Sequence, residues 1–350
     1  MKIISTATAF PEHYYRQGDI TLALGDYWDS QLANRGVLER FHRKAGVSGR
    51  HLVLPLSEFP KVKDWGAAND VFIQQAVMLG EKAVEEALDR QNISADKIGA
   101  IIFVSITGVS NPSIDARLMN RIPFSPHIKR IPIFGLGCVG GAAGIARAAD
   151  YLRSYPDQMV LVLSVELCSL TWQRADLSSA HVVSSALFGD GAAAVILSGA
   201  NHSDRKGPRV VANESVFYRN TEHVMGWNVS GEGFRVVLSP DVPKVISENL
   251  RRDVDSFLDK HGLTRDQIGS WIMHTGGPKV LDAIDAALEL PPHALSHSRE
   301  CLDQIGNISS ASVLAVLDKI MRESPPASGT WSLLSAMGPG FCTELILLQW

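Results

Sequence analysis

LDRQNISADKIGAIIFV (88–104) and LDKHGLTRDQIGSWIMH (258–274) are one pattern written twice, at a constant offset of 170 residues from Leu88 and Leu258 to Val104 and His274. Each copy closes an amphipathic helix, turns through polar residues and enters a short apolar strand. Two further echoes follow in the same order. FGDGAAAVIL (188–197) and MGPGFCTELIL (337–347) both set a Gly-X-Gly turn before an apolar strand, and IARAADYL (145–152) and VLAVLDKI (313–320) are helices behind small residues. Three ordered echoes point to a duplicated α/β unit. The joint falls near 199–207, inside the polar, turn-rich SGANHSDRKGP, which sets the halves at 1–203 and 204–350. Strand-like runs at 2–8, 100–106, 159–165, 191–197, 209–217, 270–273, 330–335 and 342–349 alternate with helical patterns, which places helices on both faces of a sheet. Two such units give a layered α/β/α/β/α sandwich with a site where the halves meet.

Composition is compatible with that size of core. The chain has 350 residues, 45% of them apolar and 20% charged, with a net charge of −4, so it lacks the basic excess of a nucleic-acid binder. The opening MKIISTATAFPEHYY reads as a strand and not a signal peptide, and no run of about 18 apolar residues predicts a membrane span. Cys138, Cys168, Cys301 and Cys342 form no CxxC pair, so no metal site is expected, and free thiols in a reducing cytoplasm are.

Cys138 is the nucleophile candidate. IPIFGLGCVGGAAGIARAADYL (131–152) reads as strand, glycine-bearing turn and helix, with Cys138 at the helix entry. Gly140, Gly141 and Gly144 each cost a helix about 1 kcal/mol relative to Ala, which calls for a close backbone or ligand approach. A helix N-terminus favours the thiolate. The same cysteine also fits a buried structural role. His274 ends a strand before Thr275-Gly276-Gly277, facing a crevice or a structural partner. Asn307 precedes the helix pattern of 313–321 and fits capping as well as it fits a donor in a site. Duplication about a rough two-fold axis brings these junctions together. Thiol, imidazole and amide then suit carbon–carbon bond formation: the sulfur holds an acyl group while the other two donate to a thioester oxygen as carbon dioxide leaves.

Four separated motifs, GCVGGAAG around Cys138, HTGGPKVLDAI from His274, GNISSASVLAVLD around Asn307 and MGPGF (337–341), resemble the type III polyketide synthases, in the right order over nearly the whole chain. The resemblance implies a thiolase-like five-layered αβαβα fold, a homodimer, no cofactor, and coenzyme A thioesters as substrates. It implies Cys138 as acyl carrier, with His274 and Asn307 for decarboxylation and enolate stabilisation. Pocket positions map onto Phe188, Val236 (often Phe in the family), Cys168, Thr171, Asn111 and the turn Gly338-Pro339-Gly340. Arg43, Lys44, Arg50, Gly276 and Gly277 are the positions expected near coenzyme A. The stretches 173–191 and 225–243 are similar to bacterial alkylpyrone-forming members, which implies a medium or long fatty acyl-CoA starter extended with malonyl-CoA and closed to a pyrone.

Three rivals stand beside this expectation. A ketoacyl-carrier-protein synthase that initiates fatty acid synthesis shares the Cys-His-Asn trio but does not usually carry the GPG turn. A non-catalytic acyl-CoA-binding protein on the same fold has no need of all three side chains. A cysteine hydrolase needs a water-activating base and gives no reason for duplicated halves.

Overall fold

The computed structural model describes residues 1–28, 35–202 and 204–350. Residue 203, the last of the predicted N-terminal half, lies outside them. Five strands of the first half run in the order Lys2–Ala9, Asp190–Ser198, Met159–Leu167, Ile98–Val104 and Lys129–Ile133. Four strands of the second run Arg209–Phe217, Cys342–Gln349, Trp331–Gly338 and Ile268–Met273. The pairing senses match strand for strand: antiparallel, antiparallel, then parallel in both halves, with a further parallel edge strand in the first. Lys2 pairs with Arg209 where the first strands of the two halves meet.

The repeat read from the sequence holds in space. The ends of the outer helices Trp65–Asp89 and Val242–Asp259, the 3-10 turns Ala95–Lys97 and Arg265–Gln267, and the strands starting at Ile98 and Ile268 all keep the offset. Central strands carry mostly apolar residues on both faces because helices cover both faces. In Met159–Leu167, the side chains of Leu161, Leu163 and Val165 face an outer apolar layer, and Val160 and Val162 face a central one. That central layer contains the helices Gly140–Ser154 and Ser312–Glu323 together with inner faces of both sheets, and a third apolar layer lies outside the second sheet. Five layers, αβαβα, result, in the thiolase-like arrangement.

Strand ends differ by a few residues from the sequence reading. Ser105 and Ile106 lie past the strand Ile98–Val104. The reading also lacked the hairpin Met225–Ser230/Gly233–Leu238, which pairs with itself as a separate two-stranded sheet. Among the described residues, no helix is long and apolar enough to cross a membrane.

Candidate active site

Cys138 sits in the middle of the 3-10 turn Gly137–Val139 that feeds the helix Gly140–Ser154. The matching turn in the other half is Ser309–Ala311, feeding Ser312–Glu323. The two turns pack directly against each other, which explains the glycines. A Cβ on Gly141 would lie 2.1 Å from the carbonyl oxygen of Ser310, and one on Gly140 would lie 2.6 Å from Val104. Gly144 meets Val162 in the same way, at 2.7 Å. Only glycine permits this approach.

The closeness brings the sulfur of Cys138 to 3.7 Å from the hydroxyl of Ser309. Ser309 N–H donates to Oδ1 of Asn307 at 2.8 Å, and the Ser312 hydroxyl donates to the same oxygen at 3.2 Å. With its oxygen so engaged, Asn307 has its NH2 group to offer. The side chain therefore closes an Asx-type turn and does not cap the long helix, whose N-cap position is Ala311. Asn307 is itself hung on the segment before the Gly-Asp-Gly turn: its N–H donates to Leu187 at 2.8 Å and its carbonyl accepts from Gly189 at 3.0 Å.

His274 follows the strand Ile268–Met273, and its N–H donates to Ser335 at 3.0 Å. Ser335 lies three residues before Gly338, where a Cβ would stand 2.7 Å from Leu136 O and Val139 N, against the cysteine turn. Downstream, Gly277 adopts φ 129° and packs on Leu187, whose carbonyl holds Asn307. A chain of direct contacts thus joins the backbone around Cys138, His274 and Asn307. All three side chains are buried, at 5%, 6% and 2% exposure. Nδ1 of His274 is enclosed with no hydrogen-bond partner among the described residues, which leaves Nε2 as the ring nitrogen for proton exchange.

Burial governs the charge states. It pushes the Cys138 thiol up to about 12, against a smaller lowering by Ser309, and pulls His274 down to about 4. Desolvation of the sulfur therefore opposes the thiolate that the helix N-terminus favours. Burial favours the thiol at Cys138 and the neutral imidazole at His274.

Cys138 opens onto a hollow of about 40 Å³. Cys168, Phe188, Val236 and Pro339, all expected at the pocket, line it with Cys138. Four of its other lining residues, Met225, Trp227, Val237 and Leu238, come from the hairpin absent from the sequence reading. The turn SGEG (230–233) between two β-prone runs was the available signal for that hairpin. Thr107 and Ser309 also line the hollow, and Glu166 lies behind it. This buried carboxylate accepts from Ile106 N–H, the Thr107 hydroxyl and the Ser310 hydroxyl, and burial raises it to about 7. Nothing in the sequence patterns marked it.

Other assignments change. Thr171 lines a separate hollow of about 530 Å³ whose shared wall with the first is Thr107. Asn111 is exposed on a loop, away from the lining of either hollow. Gly338 acts through backbone approach, and Gly340, at φ 141°, faces Phe217 and not the hollow. Arg43 and Lys44 are exposed, and Gly46 beside them lies against Pro278, the residue after Gly277, so these two segments abut. Arg50 is not exposed there. It is 0% exposed, with a guanidinium nitrogen donating to Ser185 O, so it does not meet a coenzyme A phosphate.

Residues 2–201 match the N-terminal domain of the chalcone and stilbene synthases, and residues 209–350 match the C-terminal domain. A 1,3,6,8-tetrahydroxynaphthalene synthase of Streptomyces peucetius subsp. caesius is 47% identical over 99% of this chain and 93% of its own. A chain described as a putative chalcone synthase of Bacillus subtilis (strain 168) is 40% identical over 87% of this chain and 86% of its own. The crystal structure of the Streptomyces coelicolor A3(2) tetrahydroxynaphthalene synthase, described as a bacterial type III polyketide synthase, superposes with a TM-score of 0.93 at 31% identity. That match covers 100% of this chain and 99% of the other.

Proposed function

This chain belongs to the chalcone and stilbene synthase family, the type III polyketide synthases, and from that premise we propose that it condenses malonyl-CoA units onto a short acyl starter and closes the product to a small polyhydroxylated aromatic. Condensation of malonyl-CoA is the shared activity; starter and ring are our reading. The observation that carries it is the size of the hollow at Cys138. At roughly 10–15 Å³ for each enclosed water, 40 Å³ beside the sulfur suits an acetyl-sized group on Cys138. Trp227, Phe188 and Met225 line it. The tetrahydroxynaphthalene synthases among the relatives agree with that reading.

In this scheme Nε2 of His274 takes the Cys138 proton as the sulfur attacks the starter thioester and keeps it as Nε2–H, while coenzyme A leaves as the thiolate and is protonated by water. Malonyl-CoA then loses carbon dioxide, and the electron pair of the broken bond becomes an enolate. The Nε2–H of His274 and the NH2 of Asn307 donate to its oxygen, an arrangement worth several kcal/mol in a dry site. The enolate carbon attacks the acyl-cysteine carbonyl and expels the Cys138 thiolate for the next round. Arg43, Lys44, Gly276 and Gly277, on two segments that abut, receive the coenzyme A end. The exposed strand Lys129–Ile133 at the end of the sheet, followed by exposed Phe134, supports a homodimer formed across that edge.

A second reading, a medium or long fatty acyl starter closed to an alkylpyrone, has one observation in its favour. The 530 Å³ hollow behind Thr107 is lined by Phe59, Leu170, Trp172 and Phe234 and has the volume for a chain. Mass spectrometry of products from malonyl-CoA alone, and with acyl-CoA starters of increasing length, separates the two. The first reading predicts a product from malonyl-CoA alone that long starters do not displace. Alkylpyrones as the main products would replace it with the second.

A further inference from the structure

Arg50 is withdrawn from coenzyme A, yet its surroundings tie it to the chemistry. Its side chain fills the space left by two glycines: an added Cβ on Gly189 would come within 3.2 Å of Arg50 Cβ, and one on Gly306 within 3.4 Å of its Cδ. Gly306 directly precedes Asn307, and Gly189 N–H holds the Asn307 carbonyl. The guanidinium donates to Ser185 O, upstream of Leu187, which holds the Asn307 N–H. The opposing charge is Asp190, whose carboxylate takes Val53 N–H, Ser169 N–H and the Ser169 hydroxyl, each within 2.8 Å. Ser169 lies in the turn Cys168–Thr171, the wall between the two hollows.

Two features argue against plain structural filling. Among the described residues Nε and Nη1 of Arg50 have no hydrogen-bond partner, and an under-bonded buried cation is costly to keep. A Met of similar length fills the same space without that cost. Arg50 instead supplies a hydrogen bond to Ser185 and a nearby positive charge to Asp190, the two ends of the segment on which Asn307 hangs. Burial draws Arg50 down to about 9 and raises Asp190 to about 6, each offset in part by the charge of the other.

We propose that Arg50 and Asp190 are positioning residues that set the amide of Asn307 for enolate stabilisation and hold the Cys168 wall of the acyl pocket, with no contact to substrate. The inference rests on the reading of Asn307 as a decarboxylation donor. Acyl loading of Cys138 needs the sulfur and His274, whereas decarboxylation of malonyl-CoA needs the amide, so the brace acts on one half-reaction more than the other.

The test measures both half-reactions in Arg50→Met, Arg50→Lys and Asp190→Asn of the full chain. Intact-protein mass after acetyl-CoA reports loading of Cys138, release of acetyl-CoA from malonyl-CoA reports decarboxylation, and circular dichroism reports the fold. Arg50→Met should cut decarboxylation on the order of ten- to a hundredfold, the scale of an ångström's misplacement, while loading stays within about twofold. Arg50→Lys should recover part of the loss. If Arg50→Met does not fold, the split in Arg50→Lys and Asp190→Asn decides. Equal loss of both half-reactions, or loss of neither, in the folded variants overturns the proposal. Asn307→Ala separates the premise: if it keeps decarboxylation, the reading of Asn307 fails, and if it loses decarboxylation while the Arg50 variants keep it, only the brace fails.

Discussion

Val104 and His274 stand 170 residues apart at equivalent positions beyond or at the ends of matching strands, and Cys138 and Ser310 stand in the middle of matching 3-10 turns. Each pair shares a backbone and differs in chemistry. Val104 packs its methyls into the central apolar layer against Gly140, while His274 buries an imidazole. Cys138 presents sulfur to the hollow, while Ser310 spends its hydroxyl on Glu166 and Ser164. The halves also differ in what interrupts them. Between first strand and outer helix, the first half inserts residues 10–64, which carry Arg43, Lys44 and Arg50; the second inserts 218–241, which carry the hairpin roofing Cys138. Duplication supplied the geometry twice, and single residues at equivalent places, plus unequal insertions, supplied the reaction.

The sharpest way to break this comparison is to make the two turns alike. Cys138→Ser gives both turns a serine at the centre, with nearly the same volume and a far weaker nucleophile. Condensation should fall at least about a thousandfold, and acyl-enzyme should vanish from the intact-mass spectrum, with the fold retained. Product formed at a rate near that of the unaltered chain would show that the sulfur is not the acyl carrier and that the asymmetry of the turns lies elsewhere.

The strand-end pair yields a pH test. In the unfolded chain His274 takes up a proton near 6.5, but burial holds it neutral in the folded chain down to about 4. The folded pKa is depressed for a base, so the unfolded state binds more protons in that window. Stability contributed by the neutral ring is present above 6.5 and is lost as pH falls toward 4, about 2–3 kcal/mol between pH 7.5 and 4.5. His274→Gln removes the titration, as Val104 lacks it in the other half. Urea unfolding at the two pH values should therefore show the unaltered chain losing about that much more than the variant. Parallel losses in both would mean that the ring is solvated in the folded chain.

Packing between the turns sets a smaller effect. Gly141→Ala would put a methyl 2.1 Å from the Ser310 carbonyl, inside any tolerable contact, and the two turns must part. Overpacking of this kind costs about 1–3 kcal/mol, and the separation carries Ser309 away from Cys138. A lowered urea midpoint with an unchanged slope checks it. An unchanged midpoint would show that the halves are not held in contact there.

Much of this was legible in the chain because the repeat is local. Helix end, polar turn and apolar strand are each written in about seventeen consecutive residues, and a constant offset is visible without coordinates. Cys138 and Asn307 announced themselves through glycines and small residues, which have no other use at helix entries. The sequence pattern aligned Cys138 with Asn307 as counterparts; in space its counterpart is Ser310, three residues further on. What stayed hidden depended on burial or on distant partners. Arg50 reads as a surface cation in a basic run, and only the packing of Gly189 and Gly306 around it shows otherwise. Glu166 sits in the wholly buried strand Met159–Leu167, where its donors come from two other segments. Trp227 fills the acyl hollow from an insertion with no copy in the other half.

The finest test of the comparison lies in the turns that follow the outer helices. Asn92 and Gly262 occupy the same place in the repeat and both adopt left-handed backbone, at φ 50° and φ 67°. Their N–H groups donate to Asp89 and Asp259, the same partner in each copy, at 3.0 Å. A Cβ at Gly262 would meet nothing within 4 Å, so only backbone preference opposes a side chain there. Asparagine tolerates this conformation better than other residues, and removing glycine lessens the entropy of the unfolded chain. Gly262→Asn should therefore change stability by no more than about 0.5 kcal/mol, whereas Gly262→Val should cost about 1–2 kcal/mol. If the two substitutions cost the same in urea unfolding, the second turn does not follow the rule of the first, and the equivalence of the copies stops at the helix ends.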